Sequence, residues 1–260
     1  MFARIIKFAF LAIFIIIVIS FVIEIISNTP ACVLKNLIKK GTLDSQKLTL
    51  KINYLLFIPV GEAKLEILGK ERFRNADLVH IRAQAKTFDF VKSIFHAKAT
   101  VDSYIDPVQL HSVYFIQHLE MINKPDENKE LSYDQKRHIM TYQGPRGSEK
   151  RVVDEHAQDP LSAVFFIQNK KFKIGDSFKL SLNTNQKNYV VSVNVISKQI
   201  VKISDKDYEI WLTQSSVSRK DKNPRHKSSY KAWFLVYNNI NSPILIKAMT
   251  NIGPVVAKAE

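Results

Sequence analysis

The chain has a single cysteine, Cys32, so no disulfide can form within it, and a cage of local thiolates for a metal is excluded. Its seven glycines (41, 61, 69, 144, 147, 175 and 253) are too scattered for a phosphate loop or a dinucleotide fingerprint, which argues against nucleotide chemistry. No GxSxG elbow occurs, and none of the seven histidines pairs with HExxH or zinc-finger spacing. Acidic side chains are scarce, 24 against 38 basic ones, giving a net charge of +14. Internal repeats and low-complexity tracts are absent. What is present is a chain of 260 residues, 46% apolar and 10% aromatic, which excludes wholesale disorder. A body of this size removes roughly 70% of its extended-chain surface from water, enough for one core without staples.

One long apolar run stands out. Phe8 to Ile26 is nineteen residues with Glu24 as its only charge, behind Arg4 and Lys7. As a helix it spans about 28 Å, close to the hydrocarbon thickness of a bilayer. Ser27 to Ala31 offers no convincing small-x-small cleavage site, so an uncleaved signal anchor is favoured over a removed signal peptide. Ala31 before Cys32 is also the pattern that lipoprotein processing reads, although Thr29 and Pro30 suit it poorly; an unmodified thiol is the preferred reading of Cys32. Val33, Leu34, Leu37 and Ile38 share one helical face and Lys35, Lys39 and Lys40 the other, which fits a short helix on a membrane surface or the end of the spanning helix. This sets residues 1–41 apart as an anchor and 42–260 as an exported body, because large domains that follow an anchor translocate largely regardless of charge.

From Leu48 onward the period is two. Leu48, Leu50, Ile52 and Tyr54 alternate with polar residues, as do Ala63, Leu65 and Ile67, then Val79, Ile81, Ala83 and Ala85, then Phe95, Ala97, Ala99 and Val101. Pro59 to Gly61 reads as the turn between the first two strands. Further strands are expected at 113–121, 132–142, 178–182, 189–196, 208–213, 232–237 and 244–249. The body has one strong helix signal: Asp159 as N-cap and Pro160 at the first helical position, entering LSAVFFIQN, apolar nearly all round and therefore buried. The expected fold is mainly β: a curved antiparallel sheet or half-barrel covered by one buried helix, preceded by a single transmembrane helix.

Candidate chemistry is thin. Asp154, Glu155, His156 and Asp159 form the only acid–base cluster close in sequence, and Asp159 is already taken as a cap; a hydrolase using Glu155 and His156 ranks third among the readings. His80 and His96 both lie on polar strand faces and could meet across a sheet, although ordinary surface histidines explain them well. The segment 218–231 carries six basic residues and one acid, a net +5. Arg219, Lys220, Lys222, Arg225 and Lys227 within it could contact an anionic surface such as lipid headgroups, and deletion of 219–227 is expected to weaken binding to anionic vesicles. Without interleaved aromatics, nucleic acid is the least suitable partner. Phe165, Phe166, Trp211 and Trp233 could line a ligand cavity or fill a core. No cofactor and no metal is expected, and the sequence leaves the oligomeric state open.

The segment Gln158 to Leu182, with its Gln158-Asp159-Pro160-Leu161-Ser162-Ala163 helix start and Lys173-Ile174-Gly175-Asp176 turn, resembles the family named domain of unknown function 3108 of bacterial envelope proteins. The strand Tyr189 to Val193, the segment Ile58 to Ala63 and the closing stretch Lys231 to Ala257, with Pro243 and Gly253, resemble further parts of it. The resemblance covers about residues 45 to 258. It implies an exported, β-rich protein of the bacterial envelope, similar to half-barrel carriers of lipids or lipoproteins in the periplasm, and no particular reaction. The long anchor and the lysine-rich loop depart from many members of the family; the anchor read above leads to an inner-membrane-anchored protein with its body in the periplasm or outside the cytoplasm. The leading reading is a non-enzymatic tethered protein that holds a lipid or other apolar ligand, or contacts an envelope protein. The alternative is an interaction module that recognises protein or glycan without a cavity.

Overall fold

In the structure, a computed structural model, the described residues are 29–91, 96–122, 124–145, 147–184, 186–220, 228–250 and 253–260. The expected membrane helix, Phe8 to Ile26, lies outside them; among the described residues no helix is long and apolar enough to cross a membrane.

Alternation in the sequence becomes one fourteen-stranded antiparallel sheet. The first half is a meander: β1 (Lys47–Tyr54), β2 (Ile58–Phe73), β3 (Ala76–Thr87), β4 (Ala97–Ile105), β5 (Ser112–Met121), β6 (Glu127–Asp134), β7 (Ile139–Gly144) and β8 (Gly147–Val152). A second meander follows: β9 (Ser177–Thr184), β10 (Lys187–Ile203), β11 (Lys206–Arg219), β12 (Ser228–Tyr237), β13 (Ile240–Thr250) and β14 (Gly253–Ala259). The first and last strands join the halves, with Leu50 opposite Ala259 and Tyr54 opposite Val255. The free edges are therefore β8 and β9, and the segment between them is stitched to both halves. The Val153 N–H donates to the His138 carbonyl at 2.9 Å, the Gln158 N–H to Ser181 at 2.8 Å, and the Asn183 N–H to Gln158 at 2.7 Å.

Every strand-to-strand connection within a meander is a hairpin, so the turns fall at two ends of the sheet. One end carries the two-residue turns Arg74-Asn75, Ser204-Asp205 and Asn238-Asn239, all at positive φ. Left-handed turn positions favour short polar residues that bond locally, and five of these six are polar and short or Asn. At the other end lie Leu55 to Phe57 and the short 3-10 turn Asp89–Val91, and there β5, β11 and β13 end.

Helix α1 (Pro30–Lys40) starts at Thr29, whose hydroxyl accepts the Cys32 N–H, and stops at Gly41 in the left-handed conformation. Its apolar stripe does not face lipid: Val33, Leu34 and Leu37 are buried against Ile210, Leu235, Ile244 and Ala259 at the polar-turn end of the sheet. Helix α2 (Pro160–Gln168) is the expected buried helix, with Asp159 and Ser162 forming a reciprocal capping box. It touches β3 and β4 on one side and β9 and β13 on the other, so the sheet wraps around it. Phe165 packs on Val79, Ile81 and Ile105, and Ala163 on Leu180, Val191 and Val193. Burying Phe165 alone is worth about 1.5–3 kcal/mol.

Three local expectations are corrected. Pro59 and Gly61 lie inside β2, not in a turn; the chain reverses at Leu55 to Phe57 instead. Residues 132–142 are two strands with a turn between them, where His138 takes a positive φ. Strand β8 was hidden because all six of its residues are exposed, so no apolar alternation marks it.

Candidate ligand cavity

The sheet face that meets α2 is set by register. Leu65, Ile67, Val79 and Ile81 gather around Phe165 and Leu161. The same face continues towards the Leu55 end through mostly small residues: Ala63 opposite Ala85, Ala85 opposite Ala99, and Gly61 opposite Ile52. Side chains normally fill the inside of a small barrel. Here α2 supports only the polar-turn end, and alanine does not reach across the remaining space.

The result is a partly open cavity of about 470 Å³, lined by apolar atoms of Ile52, Tyr54, Val60, Val91 and Val255 and by Ala85, Ala97 and Ala99. That volume lies inside the range of about 300–1,000 Å³ typical of small-molecule sites, and an apolar lining is the usual one. Glu62 and Lys86 at its border are paired with each other at 3.2 Å. Gly61 brings β2 and β3 close: a Cβ there would come within 2.5 Å of the Lys86 carbonyl oxygen, so any side chain would force the backbone to shift. A larger hollow of about 530 Å³ between α1 and the β10–β11 and β12–β13 turns is a mixed surface groove bordered by Lys206, Asp207, Tyr208 and Tyr237.

Around α2 the polar groups serve architecture. Asp159 is fully buried. One carboxylate oxygen accepts the Leu161 and Ser162 N–H groups at 2.7 and 3.0 Å; the other accepts the Ser103 and Ser112 hydroxyls, each at 2.6 Å. Burial raises its pKa above the usual carboxylate range, and these four bonds oppose but do not cancel that effect. The buried Tyr133 hydroxyl is pushed well up, first by desolvation and then by the Asp159 charge. Asp159 thus ties α2 to β4 and β5.

The four aromatics proposed from sequence do not line the cavity. Phe165, Phe166 and Trp211 lie in three apolar clusters around α2 and the following Phe172, and Trp233 packs with the α1 cluster on the opposite face of β12. His156 and Glu155 come within 3.4 Å but are 55% and 75% exposed, on a loop where His156 stacks on His111. His80 and His96 are not brought together: His80 bonds Asp102 at 2.6 Å near one end of β4, and His96 precedes its other end. Arg219 ends β11 and Lys220 pairs with Asp154 at 2.6 Å, while Lys222, Arg225 and Lys227 fall outside the described residues. Cys32 is a free thiol in the first turn of α1. Among the described residues no three His, Cys, Asp or Glu side chains gather within reach of one metal ion. The cavity liners themselves were missed; their signal was the paired small residues Ala83/Ala85 and Ala97/Ala99 on the inward positions of adjacent strands.

No curated protein matches the chain. Among solved structures it is similar to a β-barrel-like protein of the domain of unknown function DUF1849 from Brucella abortus, at 9% identity and a TM-score of 0.52, over 84% of this chain and 97% of that one. Identity that low speaks for the fold alone. The sequence profile described as "Protein of unknown function (DUF3108)" matches residues 48–260, from β1 to the last residue, and the chain therefore belongs to the DUF3108 family.

Proposed function

We propose that this protein is a non-enzymatic, membrane-tethered component of the cell envelope that holds the apolar chain of a lipid-like molecule inside its barrel-like sheet. The observation that carries the reading is the apolar cavity of about 470 Å³ left by the small residues of β2 to β4. Its walls present hydrocarbon and one phenol, Tyr54, with the charged groups at its border already paired, so it favours an acyl or isoprenoid chain over a polar metabolite. Sites dominated by apolar lining gain affinity from area removed from water and select by shape, which suits carriage rather than conversion.

Full-length protein purified from its native membrane, then extracted with organic solvent, tests this. A stoichiometric apolar molecule is expected, and it should be absent from a variant in which Ala85→Phe and Ala99→Phe fill the cavity. Equal recovery from both proteins would place the molecule elsewhere and refute the assignment.

A further inference from the structure

The two ends of the sheet differ in a way that folding does not require. At the polar-turn end the two-residue hairpin turns hold Arg74-Asn75, Ser204-Asp205 and Asn238-Asn239; the longer β4–β5 connection there also holds a leucine at positive φ, Leu110 at 56°, which packs into the Phe165 cluster. At the cavity end the β1–β2 turn places two leucines, Leu55 and Leu56, at φ 50° and 74°. A positive φ is strained for a branched apolar residue, and an exposed apolar turn risks aggregation. Both costs are accepted at the mouth of the cavity.

The turn does not stand alone. Leu55, Phe57, Phe90, Ile122 and Met249 are 38%, 48%, 63%, 43% and 65% exposed, and they come from five positions along the same end; at the opposite end Val108 and Val152 are exposed as well. The strands that bear or flank them are neighbours in the sheet, from β13 through β14, β1, β2, β3 and β4 to β5. Local contacts link them: the Leu55 N–H donates to the Pro254 carbonyl at 2.9 Å, the Phe88 N–H to Val60 at 3.0 Å, and the Ile122 N–H to His96 at 3.2 Å. Phe88 and Phe90 stack 6.3 Å apart. Tyr54, Val60 and Val91, which line the cavity, are close in sequence to Leu55, Phe57 and Phe90, and Val255, which also lines it, stands opposite Tyr54, so the cavity lies at this end of the sheet.

Beside Met249, on the outward face, Lys231 and Lys247 stand directly opposite each other. Like charges in that position repel. Their next neighbours across the sheet, Gln214 and Val256, carry no negative charge, and the Lys247 ammonium lies 5.4 Å from the centre of the Trp233 ring. Partial burial and Lys231 together lower the Lys247 pKa. An anion placed between the two ammonium groups would remove the repulsion, and a protein of net charge +14 is drawn to anionic surfaces.

We infer that the cavity end of the sheet is a membrane-docking surface: Leu55, Phe57, Phe90, Ile122 and Met249 enter the interface of a bilayer whose anionic headgroups meet Lys231 and Lys247. A large apolar side chain flanked by basic ones is the composition of interfacial insertion. Docking sets the mouth against the hydrocarbon, so an acyl chain passes between bilayer and cavity without crossing water. That consequence rests on the ligand reading above; the docking does not.

The test uses full-length Cys32→Ser protein in vesicles of phosphatidylcholine, with or without phosphatidylglycerol, that carry a headgroup nitroxide quencher. One fluorophore is attached through either Phe57→Cys or Ser204→Cys, at opposite ends of the sheet. Quenching is expected at position 57, rising with phosphatidylglycerol content and falling in high salt, with little at 204. Phe90→Glu with Met249→Glu should weaken the lipid dependence about tenfold or more, as expected for losing a large apolar contact. Equal quenching at both positions, or no dependence on phosphatidylglycerol, would overturn the docking proposal. Solvent extraction of the same samples separates the two readings. Intact quenching with an empty cavity refutes the ligand and keeps the docking surface; a loaded cavity with no quenching at 57 does the reverse.

Discussion

Replacing Asp159 by alanine should be the most damaging single polar change in the described structure, and its cost can be worked from four hydrogen bonds. Loss of the N-cap acceptor for Leu161 and Ser162 costs about 1 kcal/mol. The Ser103 and Ser112 hydroxyls, both fully buried, would lose a charged acceptor, at about 1–3 kcal/mol each. Relief of burying a carboxylate offsets part of this, leaving a net loss of about 3–5 kcal/mol. Asp159→Asn keeps an oxygen for the two backbone donors and offers an NH₂ to which the serines can turn and accept, so it should cost about 1 kcal/mol or less. The pH dependence separates the two further. Because the folded-state pKa of Asp159 is raised, stability from this group is fully present below its ordinary value of 3.8 and is lost as pH rises through the higher folded value. The asparagine variant lacks that loss and should gain on the wild type as pH rises from about 4. Denaturant unfolding followed by tryptophan fluorescence, in one detergent across pH, measures all three proteins. An alanine variant within about 1 kcal/mol of wild type, or an asparagine variant as unstable as alanine, would refute the tether.

Other consequences are shorter to state. Leu34→Ala, at a position with no exposed surface in α1, should cost about 2–5 kcal/mol in the same unfolding assay; a negligible effect would mean that α1 is not part of the folded core. Gly61→Ala should destabilise by about 1–3 kcal/mol, because the new methyl meets backbone at the Lys86 carbonyl and not a side chain that can turn away. Burial lowers the His111 pKa, with Asp106 opposing it, so its contribution to stability is present above 6.5 and is lost as pH falls through the lower folded value; His111→Gln should flatten the melting-temperature profile on that acid side.

The strands with one wet face were legible in the sequence because alternation survives wherever one face is polar, as in Leu48 to Tyr54 and Val79 to Ala85. The α2 start was legible because Asp159 and Pro160 satisfy local cap geometry that needs no tertiary partner. Strand β8 was not, since an all-exposed edge strand such as Gly147–Val152 has no apolar face to reveal it. The destination of α1 was equally hidden: an apolar stripe with lysines opposite looks the same whether it meets lipid or Ile210 and Leu235. The cavity required knowing which alanines become neighbours, and Ala85 and Ala99 are adjacent only through the β3–β4 register. Large aromatics drew attention to Phe165, Trp211 and Trp233, yet a space inside a protein is made by what is small.

The most direct test of the account is to equilibrate the full-length protein with a long-chain fatty acid bearing a mid-chain diazirine, irradiate, and map the labelled peptides by mass spectrometry. Label is expected on the segments holding Ile52 to Val60, Ala85 to Val91, Ala97 to Ala99 and Val255, which line the cavity, and it should be lost when Ala85→Phe and Ala99→Phe are introduced together. Label that avoids these segments, or that persists unchanged in the filled variant, would contradict the claim that the barrel-like sheet holds an apolar chain.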